Sequence, residues 1–199
     1  CGIDPRTRGR RTDAELEIVR ALLAGESVDW SDEFFELSGA EIKPTIEPAV
    51  PFTVGGRSDA ALERAGRLGD GWLASWCSSR RFREGVERTE AAGAAHDRSP
   101  SWQHGLQVWV GVGSDYADAR QYVAAGMEAF YRIPLEGFEK YTPSGTAGDI
   151  AEFLNPYREA GCSVFNLTPC GADREIEIET MAEVKRLLAG ERSGIDQGA

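Results

Sequence analysis

The sequence predicts an α/β protein built on a parallel sheet. Short apolar segments alternate with longer segments whose apolar residues recur at helical spacing, and glycine turns separate the two kinds. The clearest example is a strand, turn, helix and strand in the middle of the chain. With 199 residues, of which 41% are hydrophobic, the chain is long enough for one domain with its own core. The order of elements alone fits an open doubly wound sheet as well as a closed barrel.

The N-terminal region predicts a helix followed by a hairpin. Residues 1–11 are rich in Gly, Pro and Arg and predict a loop. Thr12 and Glu15 have the spacing of a capping box, which predicts that the first helix starts at Thr12. Segments 27–30 and 34–37 then predict two short strands around a polar turn.

The middle of the chain predicts one βαβ unit. An apolar strand over 51–55 ends in a glycine pair, and Ser58 is placed to cap the helix that follows. The segment 71–75 is a second apolar strand, so the two strands should be parallel neighbours.

The remaining elements follow in the same alternation. They are a helix over 80–95, a strand over 106–112, a helix over 115–130, a helix capped by Thr146 and Asp149, a strand over 163–167, and a helix over 175–188 with Ile176, Ile178, Met181, Val184 and Leu188 inward. Residues 1–190 are predicted to form a single domain, and residues 191–199 a flexible tail.

Charge and composition exclude several classes of function. The net charge is −11, from 22 basic and 33 acidic residues, so neither nucleic acid nor an anionic membrane surface is expected as the main partner. No apolar run has the length of a membrane span and no signal peptide is visible, which predicts a cytoplasmic protein. The four cysteines have neither metal-binding nor redox spacing, so we expect reduced thiols and no metal site.

The turn from Gly55 to Ser58 is the best candidate for a binding site. Gly55 and Gly56 let a ligand approach the backbone, and the following helix offers unpaired amides and the positive end of its dipole. Arg57 adds a cation and Ser58 a hydroxyl. These features together predict a phosphate site. The alternative is an ordinary strand-to-helix turn in which Ser58 is only a helix cap.

Two further features are candidate parts of the same site. Trp76 follows the strand 71–75, where an indole could form the wall of a pocket for a planar ring; the alternative is packing beneath a helix. Arginine suits phosphate because its guanidinium donates two parallel hydrogen bonds. Four arginines precede the first predicted helix: Arg6, Arg8, Arg10 and Arg11. Most should be solvated, and one could reach a ligand.

Several segments resemble the bacterial luciferase-like monooxygenase family. They are residues 8–15, 33–37, 51–58 and 68–72, together with 145–151, 157–161 and 165–167, which resemble the deazaflavin-dependent branch. The most specific part is the central block, which runs from Gly-Gly-Arg-Ser at 55–58 to Gly-Asp-Gly-Trp at 69–72.

The resemblance implies a (β/α)8 barrel of the TIM type that binds FMN or 8-hydroxy-5-deazaflavin (coenzyme F420) at the carboxyl ends of its strands. It implies that the Gly55–Ser58 turn cradles the cofactor phosphate and that Trp76 lies near the ring system. It also implies a phosphate contact from an arginine of the opening segment, which we assign to Arg8.

A complete barrel of this type needs about 250 residues. The sequence therefore predicts a partial barrel, roughly the C-terminal half, beginning after about the fourth strand and belonging to a larger enzyme. The expected function is that of a flavin- or deazaflavin-dependent oxidoreductase or monooxygenase. It would act on a small organic molecule, with the cofactor supplying the chemistry. Unpaired sheet edges leave room for a homo-oligomer.

Two alternatives remain open. One is a truncated barrel without catalytic function, and the other is an unrelated phosphate-binding α/β enzyme such as a sugar-phosphate isomerase. Trp76 distinguishes the phosphate-binding α/β enzyme from the flavin- or deazaflavin-dependent oxidoreductase. A flavin ring needs a flat apolar wall at this position, whereas a sugar phosphate needs polar groups there.

Overall fold

The computed structural model describes residues 2–190, so Cys1 and the predicted tail lie outside the described residues. The helices in this range are α1 (Arg8–Leu23), α2 (Asp59–Leu68), α3 (Ser79–Ala94), α4 (Tyr116–Tyr131), α5 (Ala147–Glu159) and α6 (Arg174–Ala189). The strands are β1 (Val28–Ser31), β2 (Glu36–Ala40), β3 (Thr53–Gly55), β4 (Gly71–Ser75), β5 (Gly105–Val112), β6 (Ser144–Gly145) and β7 (Val164–Cys170). Two single turns of 3₁₀ helix, Leu135–Gly137 and Glu139–Tyr141, connect α4 to β6.

The main sheet is parallel, as predicted. Its four longer members lie in the order β3, β4, β5, β7, and the two-residue β6 pairs with the carboxyl end of β5. Strands β1 and β2 form the predicted antiparallel hairpin outside this sheet. Helices follow the parallel strands, so the predicted α/β class is confirmed. No helix among residues 2–190 has the length and apolar character needed to cross a membrane.

The sheet is open at both sides within the described residues. Strand β3 pairs only with β4, and β7 pairs only with β5. A barrel of this type closes with eight strands, and four long parallel strands with a short fifth do not reach closure. The structure is therefore a partial barrel.

Two apolar clusters cover the two faces of the sheet. On one face the strand side chains pack against α2, α3, α5 and α6, with Phe82, Leu106, Val110, Ile150 and Leu154 fully buried. On the other face Trp109 of β5 packs with Val123 and Met127 of α4. The alternation along β5, which sends Leu106 and Val110 to one face and Trp109 to the other, makes this division possible.

The first helix begins earlier than predicted. Its N-cap is Thr7, and the capping box expected at Thr12 does not form. An upstream turn sets the start instead, because the backbone N–H and the hydroxyl of Thr7 both donate to the Asp4 carbonyl oxygen, at 3.0 and 2.8 Å. Glu15 accepts a hydrogen bond from Arg11 at 3.2 Å rather than folding back onto the backbone. The opening arginines from Arg8 onward are therefore helical and not part of a loop.

The last helix also differs from its predicted packing. Val184 is buried, but Ile176 and Ile178 are 40% and 58% exposed, so the prediction that both point inward is wrong. Helix α6 packs mainly on α5. Residues 174–176 and 178–179 in its first turns are exposed, and apolar spacing alone could not reveal this.

His104 ties the amino ends of the strands together. Its ring is 2% exposed, and Nδ1 accepts a hydrogen bond of 3.2 Å from the backbone N–H of Trp72. Nε2 lies 3.4 Å from the Glu90 carboxylate of α3. The His104 carbonyl oxygen accepts from the backbone N–H groups of Ser163 and Val164. One residue thus joins β4, β5, β7 and α3 at the end of the sheet opposite the Gly55–Ser58 turn.

Candidate functional site

An open groove at the carboxyl end of β3 brings the predicted phosphate-binding elements together. It has a volume of about 930 Å³ and is lined by the Gly55–Ser58 turn, the first turn of α2 and the start of α1. Arg8 is among its lining residues. The sequence placed the glycine turn and the arginine in separate regions, and the fold places them in one concavity.

Gly56 gives the turn its shape. Its φ of +135° lies in a region that glycine adopts readily and other residues do not. A Cβ at this position would lie 2.5 Å from the Cβ of Ala61, inside contact distance. At Gly55, in contrast, the nearest atom to an added Cβ is the Leu73 carbonyl oxygen at 4.0 Å. A substitution at Gly56 would therefore strain the fold itself as well as narrow the groove.

The Gly56 carbonyl is fixed by a buried tryptophan. Trp72 of β4 donates a hydrogen bond of 2.7 Å from its indole Nε1–H to the Gly56 oxygen. The sequence suggested this residue only through the Gly-Asp-Gly-Trp block and gave it no role. Its position in the second strand of the βαβ unit could have indicated this contact. Trp72 pairs with Val54 in the parallel register and so lies beside the end of β3.

Ser58 caps α2, as predicted. Its Oγ accepts a hydrogen bond of 3.3 Å from the backbone N–H of Ala61. The hydroxyl proton is left free to donate to a ligand. Asp59, in the first helical turn, places a negative charge nearby, but Arg88 pairs with it at 2.7 Å. That hydrogen bond holds the pKa of Asp59 below its ordinary value.

The arginines near the groove differ in their partners. Arg6 pairs with Asp4 at 3.3 Å, Arg10 with Glu33 at 3.0 Å and Arg11 with Glu15 at 3.2 Å. Arg8 and Arg57 form no ion pair within residues 2–190, and both line the groove. They are the guanidinium groups best placed to meet an anion.

Helix α1 is held beside the turn by a second set of arginines. Asp13 of α1 accepts from Arg64 of α2 and pairs with Arg67 at 2.9 Å. The Arg64 side chain passes directly over Gly9, where an added Cβ would meet its Nη2 at 2.8 Å. These contacts fix the start of α1, and with it Arg8, relative to the turn.

Asp70, in the same motif as Trp72, has a structural role. Its carboxylate accepts from Arg20 at 2.9 Å, from Arg98 at 3.2 Å and from the backbone N–H of Phe52 at 2.8 Å. This clamp joins α1, the entry to β3 and the segment after α3. It lies at the amino end of β4, away from the groove.

Trp76 lies one strand away from the turn and does not line the groove. It follows β4, has a φ of 45°, and is partly exposed. Its ring contacts Phe138, with centroids 4.6 Å apart, and Tyr131, with centroids 5.5 Å apart. Because β3 and β4 are parallel neighbours, as predicted, their carboxyl ends open on the same edge of the sheet. The predicted ring-wall role of Trp76 remains a prediction.

A small polar cavity of about 80 Å³ lies between the ends of β3 and β4. Arg57, Ser75, Cys77 and Arg81 contribute to its lining. Burial raises the pKa of the Cys77 thiol to about 11, and the two arginines lower it by less than burial raises it. The thiol is therefore protonated at neutral pH and is a poor nucleophile.

Comparisons with known proteins found similar sequences and structures. A family model described as luciferase-like monooxygenase matches residues 1–161. An uncharacterized protein of Mycobacterium tuberculosis is 39% identical over 72 residues, which are 36% of this chain and 25% of that protein.

Two solved structures show the shared fold. One is an F420-dependent secondary alcohol dehydrogenase in complex with an F420–acetone adduct, with a TM-score of 0.81, 16% identity and coverage of 96% of this chain and 64% of that one. The other is a riboflavin lyase with modified FMN and riboflavin, with a TM-score of 0.68, 15% identity and coverage of 98% and 61%. The chain thus spans less than two thirds of these structures.

Proposed function

The chain belongs to the luciferase-like monooxygenase family, whose model matches residues 1–161, and from this membership we propose that it is the phosphate-binding portion of a flavin- or deazaflavin-dependent oxidoreductase. The observation that carries the proposal is the groove that joins the Gly55–Ser58 turn, the start of α2 and Arg8. Structures of similar fold were solved with an F420 adduct and with modified FMN. Both cofactors carry a phosphate group.

The residues of the groove suit such a phosphate. Unpaired amides at the start of α2 and the positive end of its dipole favour an anion. The Ser58 hydroxyl can donate to one oxygen, and the guanidinium groups of Arg8 and Arg57 can neutralise the charge. Gly56 permits this turn, since its φ of +135° and the adjacent Cβ of Ala61 exclude a side chain there. We assign the phosphate to this groove on these grounds.

The planar ring of the cofactor is proposed to extend toward the end of β4. Trp76 is partly exposed there and is held by Phe138 and Tyr131. An indole in this position would provide a flat apolar surface and exclude water from one face of the ring. The bound cofactor would supply hydride transfer or oxygen chemistry to a small organic substrate.

The binding test is a calorimetric titration of the purified chain with FMN and, separately, with coenzyme F420. The variant Arg8→Gln should weaken binding of either cofactor by about 10- to 100-fold, because a hydrogen bond to a charged group contributes roughly 1.5–3 kcal/mol. Arg10→Gln is the matched control, since Arg10 is already paired with Glu33 and does not line the groove. It should leave the affinity within about twofold of the parent value.

The outcomes separate the alternatives. Equal losses in both arginine variants would remove Arg8 from the site. No saturable heat with either cofactor would favour a truncated barrel without binding function. Binding of inorganic phosphate and sugar phosphates, with neither cofactor bound, would favour an unrelated phosphate-binding enzyme.

A further inference from the structure

Trp72 is fixed in place by contacts within the protein. Its side chain is 3% exposed, and its indole stacks on Phe82 of α3 with centroids 5.6 Å apart and planes inclined by 27°. Gly85 lets α3 approach closely, since a Cβ at that position would overlap the indole. The backbone N–H of Trp72 is bound to His104 at 3.2 Å. Packing against Phe82 therefore sets the plane of the ring, and the hydrogen bond to His104 sets the position of the strand.

The direction of the indole N–H determines the orientation of one peptide group in the turn. Nε1 donates to the Gly56 carbonyl at 2.7 Å. The peptide bond that follows Gly56 is trans, since the cis bonds within residues 2–190 precede Pro44 and Pro48. In a trans peptide the C=O and the next N–H point in opposite directions. The N–H of Arg57 must therefore point away from Trp72.

That N–H is available to a ligand. Trp72 lines the small cavity between β3 and β4, whereas Gly56 lines the groove. We take the Arg57 N–H, which points away from Trp72, to face the groove that Gly56 and Arg57 line together. Within the described residues the Arg57 N–H has no backbone or side-chain acceptor. Without the indole bond, the peptide at a glycine could rotate and turn its carbonyl oxygen toward the anion.

We propose that Trp72 is a positioning residue for phosphate binding: its indole N–H fixes the Gly56 carbonyl and so directs the Arg57 amide at the phosphate. The proposal rests on the function proposed above. Trp72 itself touches no ligand, and its effect passes through one peptide group.

The variant Trp72→Phe tests this, because phenylalanine keeps an aromatic ring against Phe82 and removes the donor. Phe82→Leu is the matched control, because it disturbs the same stacked pair and keeps the indole N–H. The measurement is a titration of each ¹⁵N-labelled full chain with FMN and with inorganic phosphate, followed through the backbone amide resonances of Arg57 and Ser58.

In the parent chain and in Phe82→Leu, the Arg57 amide should move downfield as phosphate binds. In Trp72→Phe that movement should be lost, the Ser58 signal should still respond, and affinity should fall by about tenfold, the loss expected for one hydrogen bond to a charged group. Thermal unfolding of all three chains shows whether the two variants are destabilised to a similar degree.

Three results would overturn the proposal in different ways. An Arg57 shift and affinity in Trp72→Phe equal to those of the parent would refute the positioning role and leave the phosphate site intact. The absence of any response at Arg57 and Ser58 in the parent chain would refute the phosphate site, and the positioning role with it. Equal losses in Trp72→Phe and Phe82→Leu would show that packing alone is responsible, which also refutes the role of the N–H.

Discussion

His104 is held in the folded protein as a neutral imidazole. Burial lowers its pKa from the ordinary value of 6.5, and the nearby Glu90 carboxylate offsets only part of that shift. The neutral form is also the one that can accept the Trp72 N–H at Nδ1. Protonation at Nδ1 would break that bond at the amino end of β4.

This residue should make stability depend on pH. Because the folded pKa is lowered, the stabilising contribution is complete above pH 6.5 and is lost as the pH falls below it. The free energy of unfolding should decrease by up to about 1.4 kcal/mol per pH unit in that range. His104→Asn should flatten this dependence, since the amide oxygen can accept from Trp72 and does not titrate. The measurement is urea unfolding from about pH 7.5 to about pH 5.5.

His96→Asn is the control, because His96 is largely exposed and pairs with Glu63 at the surface. It should keep the pH dependence of the parent chain. If His104→Asn keeps the parent slope as well, the dependence arises elsewhere and His104 is a packing residue only.

Single residues of the site were predictable to different degrees. The glycine turn and Ser58 could be identified because a strand end, a turn and a helix cap are all determined by neighbouring residues in the sequence. Trp72 could not, because its role depends on a side chain reaching across to the neighbouring strand. The clamp on Asp70 joins residues 50 and 28 positions away, Arg20 and Arg98, and no spacing rule connects them.

At the level of elements, Thr12–Glu15 and Thr146–Asp149 both have the spacing of a capping box, but only the second pair forms one. At α5 the box is complete: Thr146 Oγ1 accepts from the Asp149 backbone N–H, and the Asp149 carboxylate accepts from the Thr146 N–H at 2.8 Å. At Thr12 the helix has already passed through its first turn, because the Asp4–Thr7 turn starts it upstream.

A pair of alanine variants tests this difference. Thr146→Ala should lower the free energy of unfolding by about 1 kcal/mol, the usual contribution of an N-cap side chain. Thr12→Ala should change it by no more than about 0.5 kcal/mol, because the residue lies inside a helix without a capping bond. Chemical unfolding of both variants beside the parent gives the comparison, and equal losses would contradict the assigned helix start.

Strand boundaries show where local sequence patterns fail. Strand β4 was predicted at its observed bounds, since Gly69 ends the preceding helix and a short apolar run starts at Gly71. Strand β7 continues past its predicted end through Pro169 to Cys170. Proline is tolerated on edge strands, and within residues 2–190 strand β7 pairs on one side only, with β5. The two-residue β6 is too short for any periodicity to reveal.

At the scale of the whole molecule, the open sheet leaves apolar surface uncovered. A groove of about 800 Å³ runs between β7 and α6, with Phe165, Leu167 and Met181 among its lining residues. Val164, at the start of β7, is 42% exposed. An edge strand with an apolar flank favours pairing with another chain.

The chain should therefore self-associate as its concentration rises. Size-exclusion chromatography with light scattering should show a mass above 21.7 kDa that increases with loading. Val164→Lys should reduce the association, because a charge on an edge strand opposes pairing. Val19→Lys is the control, since Val19 is equally exposed, at 41%, but lies on α1. A monodisperse monomer at every concentration would show that the open edges of the sheet do not promote self-association.

The proline-rich connector between β2 and β3 has a practical consequence for handling the protein. Residues 41–51 are exposed throughout and contain no helix or strand. Trypsin nevertheless cannot cleave this connector, because the one basic residue in the connector, Lys43, is followed by Pro44. A glutamate-specific protease can cut after Glu41. A cut at this bond alone leaves fragments of 41 and 158 residues. The ion pairs of Asp13 and of Arg20 link the two fragments, so such a digest would migrate as one species on a native gel and as two fragments in denaturant.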